Sequence, residues 1–345
     1  MSLMLDEIHQ QPDIIGKLVE AEHANVSELV AEIKRRDVGF VTIAARGTSD
    51  HAAIYGKYVL EIHNALPVAL ADPSVFTLYS AKIKLDRALV IGISQSGRAP
   101  DVIEYLTQSR ESGALTLAIT NEPGSPITDA AHFTVLCHAG KEMGVAATKT
   151  YTSTLSALYL LSALLGGDGG RVERLIACAD SMRAALSVEE YISKRAERYR
   201  YMESGAVLAR GYNFCTALET ALKLAETSYI GMRGYSAADF MHGPIASIHE
   251  GDPCILIAPP GKTLGMMAEV AVSLKGRKAD TLVISSDESL LSAANVPIKL
   301  DVNVEEDLSP LVYVIPGQLF AYYLALARGF DPDRPRGLSK ITLTR

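Results

Sequence analysis

Two short stretches place hydroxyls, an amide and backbone N–H groups where an apolar run passes into a helical pattern. "RGTSDH" (46–51) follows "FVTIAA", with Thr48 and Ser49 ahead of a predicted helix. "SQSGRAPD" (94–101) follows "ALVIGI", with Ser94, Gln95 and Ser96 ahead of Gly97 and Pro100. Hydroxyls, an amide and backbone N–H groups set at the positive ends of helices suit a phosphate dianion. Pro100 fits the first helical position, where its missing N–H costs nothing. A single loop of this kind reads as a helix cap, whereas two at neighbouring strand ends favour a ligand. The sequence contains no GxxxxGK[ST] and no GxGxxG after a strand.

Three further groups bear on chemistry. In "ALETALKLAETSY" (217–229), Glu219, Lys223 and Glu226 fall on one helical stripe, and from spacing alone this reads as a solvated row of salt bridges. His242 stands in "MHGP", where Gly243-Pro244 forces a turn, and by itself reads as a hydrogen-bonded structural histidine. Lys340 lies in the Gly/Pro-rich terminal stretch "DPDRPRGLSKITLTR", which alone is equally a frayed end.

The elements that must carry these residues recur. "FVTIAA", "ALVIGI", "LTLAIT" and "FTVLC" in the first half are followed by "AVLA", "CILIAP", "TLVIS" and "IKLDV" in the second, with helical patterns between them. Continuous rather than alternating apolar runs predict parallel sheets covered on both faces. The halves match at offsets of 164 to 166 residues (Ala45 with Ala209, Ile93 with Ala258, Leu115 with Thr281), which indicates a duplicated α/β unit. After the second-copy strands come "RGYNF" and "PGKTLG", poorer in clustered hydroxyls, so the second copy is expected to do other work. Residues 1–35 are expected to form surface helices on a first domain of 36–194. The turn cluster "GGDGG" and a charged connecting helix lead to a second domain of 195–333, and 334–345 form a tail.

Composition narrows the function classes. With 48% hydrophobic and 21% charged residues the chain reads as globular. A net charge of -7 without basic runs gives no footprint for nucleic acid or an anionic membrane. The longest apolar stretch, Leu155 to Gly167, is too short to span a bilayer, and the acidic start is unlike a signal peptide, so a cytoplasmic location is expected. Cys137, Cys178, Cys215 and Cys254 are widely spaced without a CxxC pair, which fits reduced thiols, and the histidines lack an i, i+4 metal pair.

The ordered series "LDEIHQQP", "RGTSDHA", "ISQSGRAPD", "GVAATKTYTS", "ALETALKLAETSY", "FMHGPIA" and "PRGLSKITLT" resembles the double sugar isomerase (SIS) domain family. Within it, the chain is most like the isomerase half of glutamine:fructose-6-phosphate amidotransferases and the stand-alone glucosamine-6-phosphate deaminases. The resemblance implies two tandem α/β SIS domains, each a parallel five-stranded sheet flanked by helices in a flavodoxin-like three-layer arrangement. It implies that Thr48, Ser49, Ser94, Gln95 and Ser96 hold the phosphate and that Val145 and Ala147 line the sugar. It gives Glu226 as the carboxylate that moves a proton between C1 and C2, with Lys223 one turn before it. His242 is implied in ring opening and Lys340 in Schiff-base chemistry or in ordering a lid. A homodimer is implied, with the His242 segment reaching the neighbouring subunit's site, and no cofactor or metal is required.

The chain departs from the family pattern in places. Ala99 stands where relatives carry a hydroxyl, Ala147 stands where the synthase has serine, and "GRAPD" is closer to the deaminase type. No glutaminase segment precedes the isomerase-like region in this sequence. The activity implied is conversion of glucosamine 6-phosphate to fructose 6-phosphate and ammonia. Alternatives are a deglycase for fructosyl-amino-acid 6-phosphates, action on another aminated sugar phosphate, the synthase direction, and a non-catalytic sugar-phosphate sensor.

Overall fold

A computed structural model describes residues 2–338 and 340. The chain forms two compact units, each built on one sheet. The first-sheet unit contains residues 13–142, 149–177 and 340; the second-sheet unit contains 2–12, 143–148 and 178–338.

In the first-sheet unit, β1 (Phe40–Ala44), β2 (Val68–Leu70), β3 (Ala88–Ile93), β4 (Leu115–Thr120) and β5 (Phe133–Leu136) pair in the order β2-β1-β3-β4-β5. Every pairing is parallel, with Val41 opposite both Val68 and Leu89, and Ile91 opposite Leu117. All residues of β3 and β4 are buried, which is why these runs are apolar without alternation. Helix Pro100–Glu111 sets Val102 and Leu106 against Val90 and Ala118. At Gly92 a Cβ would lie 2.4 Å from a Leu106 methyl, so only glycine admits this approach.

The second-sheet unit repeats the plan with β6 (Ser204–Ala209), β7 (Gly231–Ser236), β8 (Pro253–Ala258), β9 (Asp280–Ser285) and β10 (Val296–Lys299) in the order β10-β9-β8-β6-β7. Read from β7, this is the order of the first sheet, as a duplicated unit requires. Helix Phe214–Ser228 crosses from β6 to β7 and is buried between that strand and helix Ser309–Ala327. Gly317 admits the helix contact, since a Cβ there would stand 2.3 Å from Thr220 Oγ1; Gly234 admits the strand, with Leu218 Cα 2.8 Å from its hypothetical Cβ.

Several sequence expectations are corrected in detail. β2 and β7 are missing from the predicted runs: β2 is only three residues, and β7, "GMRGYS", is polar and lies at a sheet edge. Residues 2–12, expected with the first domain, group with the second-sheet unit. The charged connection "SVEEYISKRAERYRYMESG" is not one helix: it holds Glu189–Ala196, a 3₁₀ turn, Glu197–Tyr199, and the start of β6 at Ser204. Ser309–Ala327 is longer than the Leu155–Gly167 stretch, and among the described residues it is the one helix long and apolar enough to cross a membrane. It is mostly buried within its own unit, against the helices Phe214–Ser228 and Glu189–Ala196. All four cysteines are buried and free, and burial pushes the thiols of Cys137, Cys178 and Cys254 up to about 12.

Candidate active site

In a sheet of order 2-1-3-4-5 the strand order reverses between β1 and β3, and ligands collect beyond the carboxyl ends of those two strands. The hydroxyl-rich loops follow these two strands. Helix Thr48–Asn64 begins one residue after Gly47 (φ 56°), so Thr48 and Ser49 lie in its first turn instead of preceding it. After β3, Gly97 N–H donates to Ser94 C=O at 3.0 Å, and helix Pro100–Glu111 starts after Ala99. Both helix caps, Gly47 and Ala99, lack a side-chain cap bond. Among the described residues, the side chains of Ser49, Ser94, Gln95 and Ser96 have no hydrogen-bond partner, so the hydroxyls are not there as caps. Ser94 is buried and the others are half-buried.

Other contacts fix this cradle. Gln95 C=O accepts from Asn121 N–H at 3.1 Å and from Thr120 Oγ1 at 3.3 Å. Gly97 has a positive φ of 62°, and a Cβ there would stand 1.9 Å from Ser125 Oγ. Arg46 Nε donates to the buried Asp101 carboxylate at 2.7 Å, tying the loop after β1 to the helix after β3.

The corresponding loop of the second-sheet unit is filled from within. Lys262 N–H donates to Glu306 Oε2 at 3.0 Å and Thr263 Oγ1 to Glu306 Oε1 at 3.4 Å, at the start of helix Leu264–Gly276. A carboxylate of the protein thus takes up donors at the end of β8, consistent with the second copy having a different task.

The second-sheet unit carries an ionisable array on helix Phe214–Ser228. Lys223 Nζ lies 3.2 Å from Glu219 Oε1 and 2.6 Å from Glu226 Oε2. The stripe is not solvated: the side chains of Glu219 and Lys223 are 0% exposed, while that of Glu226 is 24% exposed. Burial alone would lower the affinity of Lys223 for its proton, but the two carboxylates outweigh it and hold its pKa above the ordinary lysine value. One end of the array is closed and charge-balanced; Glu226 offers the accessible end.

His242 is exposed, caps the short helix Ala237–Met241 and makes no side-chain hydrogen bond or ion pair among the described residues. It is therefore not joined to the Lys223–Glu226 pair by any polar contact. Val145 and Ala147 are half-buried in the loop 143–148. Lys340 is not a loose end: its Nζ donates to Glu142 Oε2 at 2.7 Å within the first-sheet unit. Glu142 is buried and also accepts from Thr150 N–H at 3.1 Å and Thr150 Oγ1 at 2.8 Å. Sequence reasoning missed Glu142, although it directly precedes "MGVAATK". A cleft of about 510 Å³ at the amino ends of β6 and β7, lined by Ser204, Gly231, Arg233 and Asp252 among others, contains none of these residues.

The model of the SIS domain family matches residues 36–164 and 204–328. The chain belongs to the SIS domain family. Thr48, Ser49, Ser94, Gln95, Ser96, Val145 and Ala147 fall in the first SIS segment, Glu219, Lys223, Glu226 and His242 in the second, and Lys340 beyond both. The chain is 39% identical, over 98% of its length, to the glutamine–fructose-6-phosphate aminotransferase (isomerizing) of Methanothermobacter thermautotrophicus and spans 56% of that protein. It is 36% identical over 98% of its length to the enzyme of the same name from Thermococcus kodakarensis, spanning 57% of it. Among solved structures, the C-terminal domain of glucosamine-fructose-6-phosphate aminotransferase from Francisella tularensis superposes with a TM-score of 0.88 at 26% identity, covering 97% of this chain and 98% of that one. Glucosamine-6-phosphate deaminase from Thermotoga maritima has the same fold, with a TM-score of 0.82 at 20% identity and coverage of 99% and 100%. These SIS segments thus have the phosphosugar isomerase fold, in a chain a little over half the length of the curated relatives it matches.

Proposed function

We propose that this SIS protein is an amino-sugar phosphate deaminase and aldose–ketose isomerase that converts glucosamine 6-phosphate to fructose 6-phosphate and ammonia. The observation that carries the reading is the Glu219–Lys223–Glu226 array, in which a buried cation holds a partly exposed carboxylate at 2.6 Å. Once the ring is open, Glu226 takes the proton from C2 and returns a proton to C1, so the 2-amino aldehyde becomes a 2-imino alcohol. Water then adds to C2 and ammonia leaves. Acid–base catalysis of this kind contributes about 10²–10⁴ in rate. Ser49, Ser94, Gln95 and Ser96, with Thr48 beside them, hold the phosphate. That end does not react, but its binding energy positions C1 and C2. Val145 and Ala147 line the sugar, and His242 transfers the ring-oxygen proton. In this conformation Lys340 is engaged by Glu142, which fits a role in ordering the tail better than one as a standing nucleophile.

A second reading, synthesis of the amino sugar from fructose 6-phosphate and ammonia, is favoured by the relatives named as isomerizing aminotransferases. Both readings are tested by incubating the protein with glucosamine, galactosamine and fructosyl-amino-acid 6-phosphates, and separately with fructose 6-phosphate plus ammonium, while following ammonia and sugar products. Turnover of glucosamine 6-phosphate is expected, with Glu226→Gln at least about 10²-fold slower. Tight binding of a panel member with no turnover of any would overturn the enzymatic reading, and unimpaired Glu226→Gln would overturn the assigned base.

A further inference from the structure

The opening motif "LDEIHQQP" is not explained by the proton-transfer or phosphate groups, yet its Glu7, His9 and Gln11 are engaged inside the second-sheet unit, as is the helix start just before it. Asp333 caps helix Leu3–Gln10, its carboxylate accepting from Ser2 Oγ at 2.9 Å, Leu3 N–H at 2.9 Å and Met4 N–H at 2.8 Å. His9 Nε2 lies 2.6 Å from Glu189 Oε2. Buried Gln11 donates to Gln318 Oε1 at 2.8 Å, on helix Ser309–Ala327. Three separated ties leave this helix little freedom to shift or rotate.

Glu7 is the residue so fixed. It is 4% exposed, and its carboxylate accepts from the backbone N–H of Met143 and, at 3.2 Å and 3.3 Å, from that of Gly144. A Cβ at Gly144 would stand 2.8 Å from Glu7 Oε2, so a side chain there would displace the carboxylate. Residues 141–148 form neither helix nor strand, and Glu7 gives two successive amides of this stretch an acceptor. A buried carboxylate receiving two successive amides orients the 142–143 and 143–144 peptide planes, the second of which ends one residue before Val145.

We infer that Glu7 is a positioning residue for the loop 143–147 and sets the sugar-contacting position of Val145 and Ala147. This rests on the proposed function for the sugar contact, but not for the loop order. Charged hydrogen bonds of this kind, when lost, correspond to about tenfold or more in an equilibrium. In Glu7→Gln the shape is retained and one acceptor oxygen becomes a donor. Hydrogen exchange on the full chain without substrate is expected to show the Met143 and Gly144 amides protected in the wild type and exchanging at least about tenfold faster in the variant. KM for the sugar phosphate is expected to rise about tenfold while kcat stays within about threefold. Gly144→Ala, which pushes on Glu7 from the other side, is expected to reproduce both effects and serves if Glu7→Gln does not fold. Unchanged protection in a folded variant overturns the inference. So does a KM equal to wild type. If the wild type turns over no panel substrate, the proposed function fails while the exchange measurement still judges Glu7.

Discussion

At the scale of single residues, Lys223 is the pivotal group. It has no exposure and two carboxylate neighbours, one of which, Glu219, is equally buried. Removing the cation takes from the buried Glu219 its ion-pair partner, a loss that costs about 3–5 kcal/mol. Lys223→Ala should therefore lower unfolding stability by roughly that amount in urea titrations, and the pair Glu219→Gln with Lys223→Met should recover most of it, because no buried charge is then stranded. The pH dependence has a definite sign. The folded-state pKa of Lys223 is raised above the ordinary 10.5, so its stabilising contribution is complete below pH 10.5 and is lost as pH rises through the folded value. The wild type should lose stability on that alkaline limb more steeply than the double variant. Equal slopes would show that the array does not carry the coupling assigned to it.

At the scale of elements, the shape of the loop after β3 depends on its glycine. Gly97 has φ 62°, and a side chain would collide with Ser125 Oγ. The left-handed conformation alone costs an ordinary residue ~1–2 kcal/mol. Gly97→Ala should therefore displace the turn that carries Ser94, Gln95 and Ser96. The expected outcome is sugar-phosphate affinity reduced about tenfold or more by calorimetric titration, with the Glu226 helix left intact as judged by its amide protection. Unchanged affinity in a folded variant would separate this loop from phosphate binding. The contrasting loop after β8 explains why duplication need not mean two equal sites. Glu306 already occupies donors at Lys262 and Thr263, so an incoming anion would have to displace a carboxylate tethered to the same chain.

At the scale of the whole molecule, we propose that the chain forms a homodimer in which the exposed His242 serves the neighbouring subunit's site, and mixing tests this. Glu226→Gln and His242→Ala homodimers should each be impaired. Unfolded together and refolded at equal ratio, they should regain about a quarter of wild-type activity, because half of the dimers are mixed and each of these rebuilds one of two sites. No recovery from a demonstrably mixed dimer would keep His242 within its own subunit's chemistry or outside the reaction. The sequence by itself determined the strand runs of β3, β4, β8 and β9, whose burial on both faces leaves mostly apolar residues without alternation. It also determined the duplication, since equal folds keep equal spacing, and the hydroxyl-rich loops beyond β1 and β3, since a strand–loop–helix junction is local. It could not determine β7, because an edge strand has little apolar pattern to read. Nor could it decide whether Glu219 and Lys223 are solvated or buried: the spacing is the same in either case, and only the packing of β7 and helix Ser309–Ala327, through Gly234 and Gly317, removes them from water. The partners of Glu7 at residues 143 and 144, and of Glu142 at Lys340, lie 136 to 198 positions away in the chain. Contacts at such separation leave no periodicity in a sequence, so those residues acquired their meaning only from the tertiary structure.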